Sequence, residues 1–98
     1  MQAIENLTRI AGKILERVPH KTLADYDVVK VRLEEAAAVP EKANLLQSMI
    51  GNVVEVAARR DLLKNAGPGM KLRCRAKRTP DGAMCEKDPA PGDFEVQQ

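Results

Sequence analysis

Apolar residues at the start of the chain fall at Ile4, Leu7, Ile10, Ala11, Ile14, Leu15 and Val18, with polar residues between them. Steps of three and four are the signature of one helix face, so the spacing predicts an amphipathic helix over about 2–18. Pro19 follows, where a helix does not easily continue. Gly12 would cost about 1 kcal/mol relative to Ala inside a helix. Beside Ala11, it is either tolerated or there to let a neighbouring helix approach.

A second segment opens with Thr22 and Asp25, a variant capping box with Asp in place of the usual Glu or Gln. Leu23, Tyr26, Val29, Leu33 and Ala36 or Ala37 then mark one helical face. Val29, Val31 and Leu33 also alternate with Lys30 and Arg32, which is a strand pattern in β-branched residues. The cap and the run Glu34-Glu35-Ala36-Ala37-Ala38 carry the reading to a helix over about 22–38, closed by Val39-Pro40.

The third segment, about 41–65, holds Leu45, Leu46, Met49, Ile50, Val53, Val54, Val56, Ala57, Leu62 and Leu63. Glu41 near its start and Arg59, Arg60 and Lys64 near its end suit a helix dipole, and Gly67-Pro68 is a stop signal. At about 1.5 Å per residue this helix would run roughly 35 Å, against about 24 Å for each of the first two. Its apolar stripe (Leu46, Met49, Ile50, Val53, Val54) would then overhang its neighbours, to be covered by the C-terminal segment or by a second copy of the chain, with a homodimer expected.

Beyond Gly67 the texture changes. Met70, Leu72, Cys74 and Ala76 alternate with Lys71, Arg73, Arg75 and Lys77, a strict period of two. Thr79-Pro80-Asp81-Gly82 supplies a turn, and Ala83 to Lys87 a return strand. The expected fold is mainly α: a three-helix bundle (about 2–18, 22–38, 41–65) with a C-terminal β-hairpin (about 70–78, 83–87) and an extended tail. The tail either stays disordered or adds a short strand around Phe94 and Val96. The 98 residues read as a single domain (1–98), with a helical body over 1–66 and a Pro/Gly-rich hairpin and tail over 67–98.

Composition changes this picture in two respects. The chain has one Tyr (Tyr26), one Phe (Phe94) and no Trp, so its core must be built from aliphatic residues. Its formal charge is +2, from 16 basic and 14 acidic residues, too balanced to argue for nucleic acid without a local arrangement. No apolar run approaches the ~20 residues of a membrane span, no export signal is read at the N-terminus, and two cysteines are too few for a disulfide framework. A cytoplasmic protein with no membrane contact is expected.

Catalytic chemistry is thin. The lone His20 sits in an expected turn and reads as a solvated residue. Cys74 and Cys85 lack the spacing and the second His of a zinc site, and they read as small buried hydrophobes. A disulfide across the hairpin is conceivable, but the two are not directly opposite. No enzymatic activity, metal or cofactor is expected. Two features could carry binding. One is the basic strand face of Lys71, Arg73, Arg75 and Lys77, with Arg78 at its end, facing an acidic protein or nucleic acid. The other is a basic line of Arg9, Lys13 and Arg17 on the first helix. The leading expectation is a non-enzymatic protein-binding regulator, inhibitor or adaptor that acts by occupying a partner's surface. The rival is a small nucleic-acid-binding regulator using the basic strand face.

Overall fold

Alternation, and not the three-to-four-residue step, is the period that governs most of the chain. The computed structural model describes residues 5–98. It contains strands β1 (Thr8–Pro19), β2 (Tyr26–Ala38), β3 (Val53–Arg59), β4 (Lys71–Thr79), β5 (Gly82–Cys85) and β6 (Phe94–Gln97). A 3-10 turn (Gln47–Met49) precedes β3, and a one-turn helix, α1 (Arg60–Leu63), follows it directly. Among the described residues the expected three-helix bundle is therefore absent. Its first two helices are β1 and β2, and the segment 41–65 is divided among the 3-10 turn, β3 and α1. Residues 2–4 of the first expected helix, Ile4 included, lie outside the described residues.

The reason is visible residue by residue. In β1, Thr8, Ile10, Gly12 and Ile14 are buried while Arg9 and Lys13 are exposed. Ile10 and Ile14 are four apart, which satisfies a helix and a strand equally, and the inward position between them is a glycine that carries no apolar signal. Leu15 and Val18, which the helical reading placed on the buried face, are exposed. In β2 the buried residues are Val29, Val31 and Leu33, so the alternation prevails over the capping signal. In β3 they are Val54, Val56, Ala57 and Ala58. Gly51 adopts a positive φ of 89° and breaks the third expected helix in its middle. β-Branched side chains then find in a pleated sheet the packing that a helix denies them. The hairpin does form: β4 and β5 are antiparallel, with Thr79 opposite Gly82 across Pro80-Asp81.

β1, β2 and β3 form an antiparallel meander, β3 runs parallel to β5, and β5 is antiparallel to β4. β4 then pairs with β1, from Thr8↔Ala76 to Lys13↔Lys71, and closes a five-stranded barrel. β6 lies along the other edge of β4, from Lys71↔Gln97 to Cys74↔Phe94. The barrel thus contains one parallel strand pair, and the short helix α1 lies between its third and fourth strands. Strands in a closed barrel must be staggered. A path from Val18 through Val28, Ala57, Met84 and Lys77 returns to β1 beside Thr8, the partner of neighbouring Ala76.

Barrel diameter grows with strand number, so five strands enclose a narrow interior. It is filled by Ile10, Ile14, Val29, Val31, Leu33, Val54, Val56, Ala58, Leu72, Cys74, Ala76, Ala83 and Cys85, with Leu46, Leu63 and Ala66 in the same cluster. Each larger aliphatic residue contributes about 1.5–3 kcal/mol on burial. Phe94 packs against this cluster from β6, only partly buried. Among the described residues, no helix is long and apolar enough to cross a membrane.

Two glycines set how closely the strands approach. A Cβ on Gly12 would collide with the Arg32 carbonyl and the Val31 side chain, and one on Gly82 with the Glu55 backbone. Gly12 sits at a register shift between β1 and β2, where the sheet bends. Replacing Gly12 by Ala should lower unfolding free energy by about 1–3 kcal/mol through overpacking, read from urea melts. Gly67→Ala, where only the Asn65 carbonyl lies as near as 4.0 Å, should change it by less than about 0.5 kcal/mol.

Candidate functional site

The outer face of β4 presents Lys71, Arg73, Arg75 and Lys77, while Leu72, Cys74 and Ala76 fill the interior. Arg78 has the opposite parity. It is exposed at the strand's end, where its Nη1 donates to the Leu45 carbonyl (3.3 Å) and its backbone N–H to Asn6 Oδ1. Barrel closure lays β1 against this strand and sets Arg9 opposite Arg75 and Lys13 opposite Lys71. Across the other edge of β1, Lys13 faces Arg32. Lys71, Lys13 and Arg32 thus form one transverse row over three adjacent strands.

Like charges directly opposite one another destabilise a sheet, and acids relieve only part of this set. Asp93 bridges Arg9 (3.0 Å) and Arg75 (3.4 Å), Glu86 meets Arg75 (3.2 Å), and Glu34 meets Lys71 (3.3 Å). Glu95 is the cross-strand neighbour of Arg73, and Glu35 that of Ala11. Among the described residues, Lys13, Arg32, Arg73, Lys77 and Arg78 form no ion pair. Neighbouring strands are about 4.7–4.9 Å apart, and same-face residues along a strand about 6.5–7 Å. The free cations are therefore spread over a surface and not gathered into a pocket.

Arg17, the third member of the basic line on the first segment, is diverted. An irregularity between Ile14 and Glu16 shifts the β1–β2 register by one residue, so Arg17 sits with the buried end of the barrel. Its Nε donates to Asp27 Oδ2 (2.8 Å), and its Nη1 donates to the Lys64 and Ala66 carbonyls (both 2.8 Å). Arg60 Nε donates to Asp27 Oδ1 (3.0 Å). Burial pushes the Asp27 carboxyl up, but the hydrogen bonds and charges of Arg17 and Arg60 outweigh it and hold its pKa below the ordinary Asp value. This cluster ties β1, β2 and the segment around α1 together. Its charges are consumed by structure.

The expected association stripe does not exist as a surface. Leu46 and Val54 are 1% and 3% exposed inside the barrel, whereas Ile50 and Val53 are 46% and 44% exposed outside it. Met49 packs partly against the core. Adjacent strand residues point to opposite faces, so a contiguous helical stripe is split. His20 serves the β1–β2 loop: its Nδ1 accepts the backbone N–H groups of Thr22 (3.1 Å) and Leu23 (3.0 Å).

A shallow groove of about 600 Å³ lies beside Asp25, Tyr26, Arg59, Arg60, Asp61 and Lys87. Arg59 there is held by Asp61 (2.6 Å) and Asp88 (3.0 Å), and its pKa is raised, chiefly by the Asp61 hydrogen bond. Among the described residues, no group of three His, Cys, Asp or Glu side chains is arranged to hold a metal ion. The helical pattern puts Arg9 and Lys13 on a first helix remote from the basic strand, and nothing in it singles out Arg32. The Val29-Val31-Leu33 alternation was the signal that puts Arg32 on the outer face. No protein family, curated protein or solved structure matches this chain.

Because the folded pKa of Asp27 is depressed, its contribution to stability is present above the unfolded value of about 3.9 and lost as pH falls through the lower folded value. Asp27→Asn should therefore cost about 2 kcal/mol at neutral pH. Its stability should also decline less steeply than wild type below about pH 4, measured by denaturant unfolding across that range.

Proposed function

We propose that this chain is a small, non-enzymatic nucleic-acid-binding protein that engages phosphate groups through the joined outer faces of β1, β2 and β4. The observation that carries the reading is the transverse row Lys71–Lys13–Arg32, continued by Arg73 and Lys77 along β4. Like charges set opposite one another cost free energy in the isolated protein, and a polyanion laid across them would relieve that cost and release its counterions. Strand alternation presents the cations as a two-dimensional array, which suits an extended backbone better than a compact ligand. Five-stranded barrels of the OB type also bind oligonucleotides, but on the face of their second and third strands, of which only β2 belongs to the surface here. That is analogy at the level of fold, and the residues themselves carry the reading.

The same face lacks aromatic side chains: Tyr26 lines the separate groove, and Phe94 packs on the core. Base stacking, the usual second component of single-strand binding, therefore has no platform there. Binding should be directed at the backbone and nearly independent of sequence. A cytoplasmic location belongs to the same reading, as a compartment in which nucleic acid is abundant. The protein-binding regulator loses the geometry it was built on, because its stripe is divided between the interior and the exterior of the barrel.

Fluorescence anisotropy with labelled single strands of DNA and RNA checks this. Affinity should fall steeply with salt, and Lys13→Ala, Lys71→Ala or Arg73→Ala should each reduce the logarithmic salt slope by about 0.7 for a single strand. Lys64→Ala, on the α1 side of the barrel, should leave it unchanged. The absence of binding to single strands and to duplex at low salt would sink the proposal.

A further inference from the structure

Cys74 and Cys85 both project into the barrel, at 2% and 4% exposure, with their Sγ atoms 2.9 Å apart. Cys85 lies opposite Ala76 in the hairpin register, so the two cysteines are diagonal neighbours on β4 and β5. Direct pairing across the hairpin is not what joins them. Both side chains point into a narrow interior, and there the sulfur atoms meet. Both belong to the same buried cluster as the aliphatic residues Leu72, Ala76, Val56 and Ala83.

We propose that Cys74 and Cys85 form a disulfide inside the barrel, closed by thiol–disulfide exchange with a low-molecular-weight disulfide of the glutathione type. One cysteine thiolate attacks a sulfur of the reagent, forming a mixed disulfide and releasing the reagent's first thiol. The second cysteine thiolate then attacks the protein sulfur of that mixed disulfide and releases the second thiol. Two protein thiols are oxidised, the reagent's sulfur–sulfur bond is reduced to two thiols, and the two cysteine protons pass through solvent to the departing thiolates.

The hydrogen bond between the thiols, followed by burial, raises the pKa of Cys74 well above its ordinary value, so the pair is inert while the barrel is shut. Access comes from the short seam between β3 and β5. β5 has four residues, and only Val56↔Ala83 and Ala57↔Met84 join it to β3. Once formed, the bond would staple β4 to β5 and resist opening of that seam. Disulfide closure does not depend on nucleic-acid binding. In a reducing compartment the pair stays a dithiol, and an oxidising challenge closes it.

The test uses the full chain incubated with oxidised glutathione, then acid-quenched, denatured and alkylated for mass spectrometry. The expected product is a monomer lighter by two hydrogens, with no alkylation unless reductant is added first and two alkylations afterwards. Its urea midpoint should exceed that of the reduced form, a difference lost in Cys74→Ala/Cys85→Ala. Two alkylatable thiols after oxidation, or glutathione retained on the chain, would overturn the proposal. The mass measurement on wild type decides even where the double variant fails to fold.

Discussion

The structure depends on the closure of β1 against β4. β1 is paired on both edges, with β2 along its length and with β4 through Thr8–Lys13. Closure removes the open edge that would invite aggregation and turns a meander plus a hairpin into one sheltered interior. It also imposes geometry on everything else. β1 and β2 must be long enough to cover the stagger of the barrel, and the sheet must bend sharply where they cross. Gly12 meets that requirement, since any side chain there would strike the Arg32 carbonyl. The register shift beside it distributes the curvature.

The narrowness of a five-stranded barrel then accounts for an unusual composition. Val, Ile, Leu, Ala and Cys fit where aromatic rings would not, and the two aromatic residues are excluded to the groove and the β6 edge. Beside α1, Asp27 accepts from both Arg17 and Arg60, while Arg17 also caps carbonyls after the helix. A buried carboxylate would be costly alone. Here it is paired on both oxygens, and it fixes the short helix on the strands.

The same closure concentrates charge. Two basic lines far apart in sequence, Arg9 with Lys13 and Lys71 to Lys77, become adjacent strands, and Arg32 joins them from the far edge. Asp93, Glu34 and Glu86 offset part of the repulsion. What is left unpaired is the part of the surface with most to gain from a polyanion. Arg17 shows how a local irregularity redirects a side chain: one register shift moves it from that surface to a structural ion pair.

The residue pattern alone specified the C-terminal hairpin, because strict alternation from Met70 to Lys77 and the turn residues Thr79-Pro80-Asp81-Gly82 are local signals. It also determined which side of that strand is basic. It did not determine the body. Ile10 and Ile14 fit both periods because Gly12 hides the alternation, and Val29-Val31-Leu33 competed with a helical cap. The weight of Gly51-Asn52 ahead of a Val-rich strand showed only once pairing was visible. Those ambiguities are resolved by hydrogen bonds between residues distant in the chain. The juxtaposition of Lys13 with Lys71 and Arg32, and of Cys74 with Cys85, was likewise left to tertiary structure. Cross-strand neighbours are fixed by register and barrel stagger, and neither is written in any local stretch of residues.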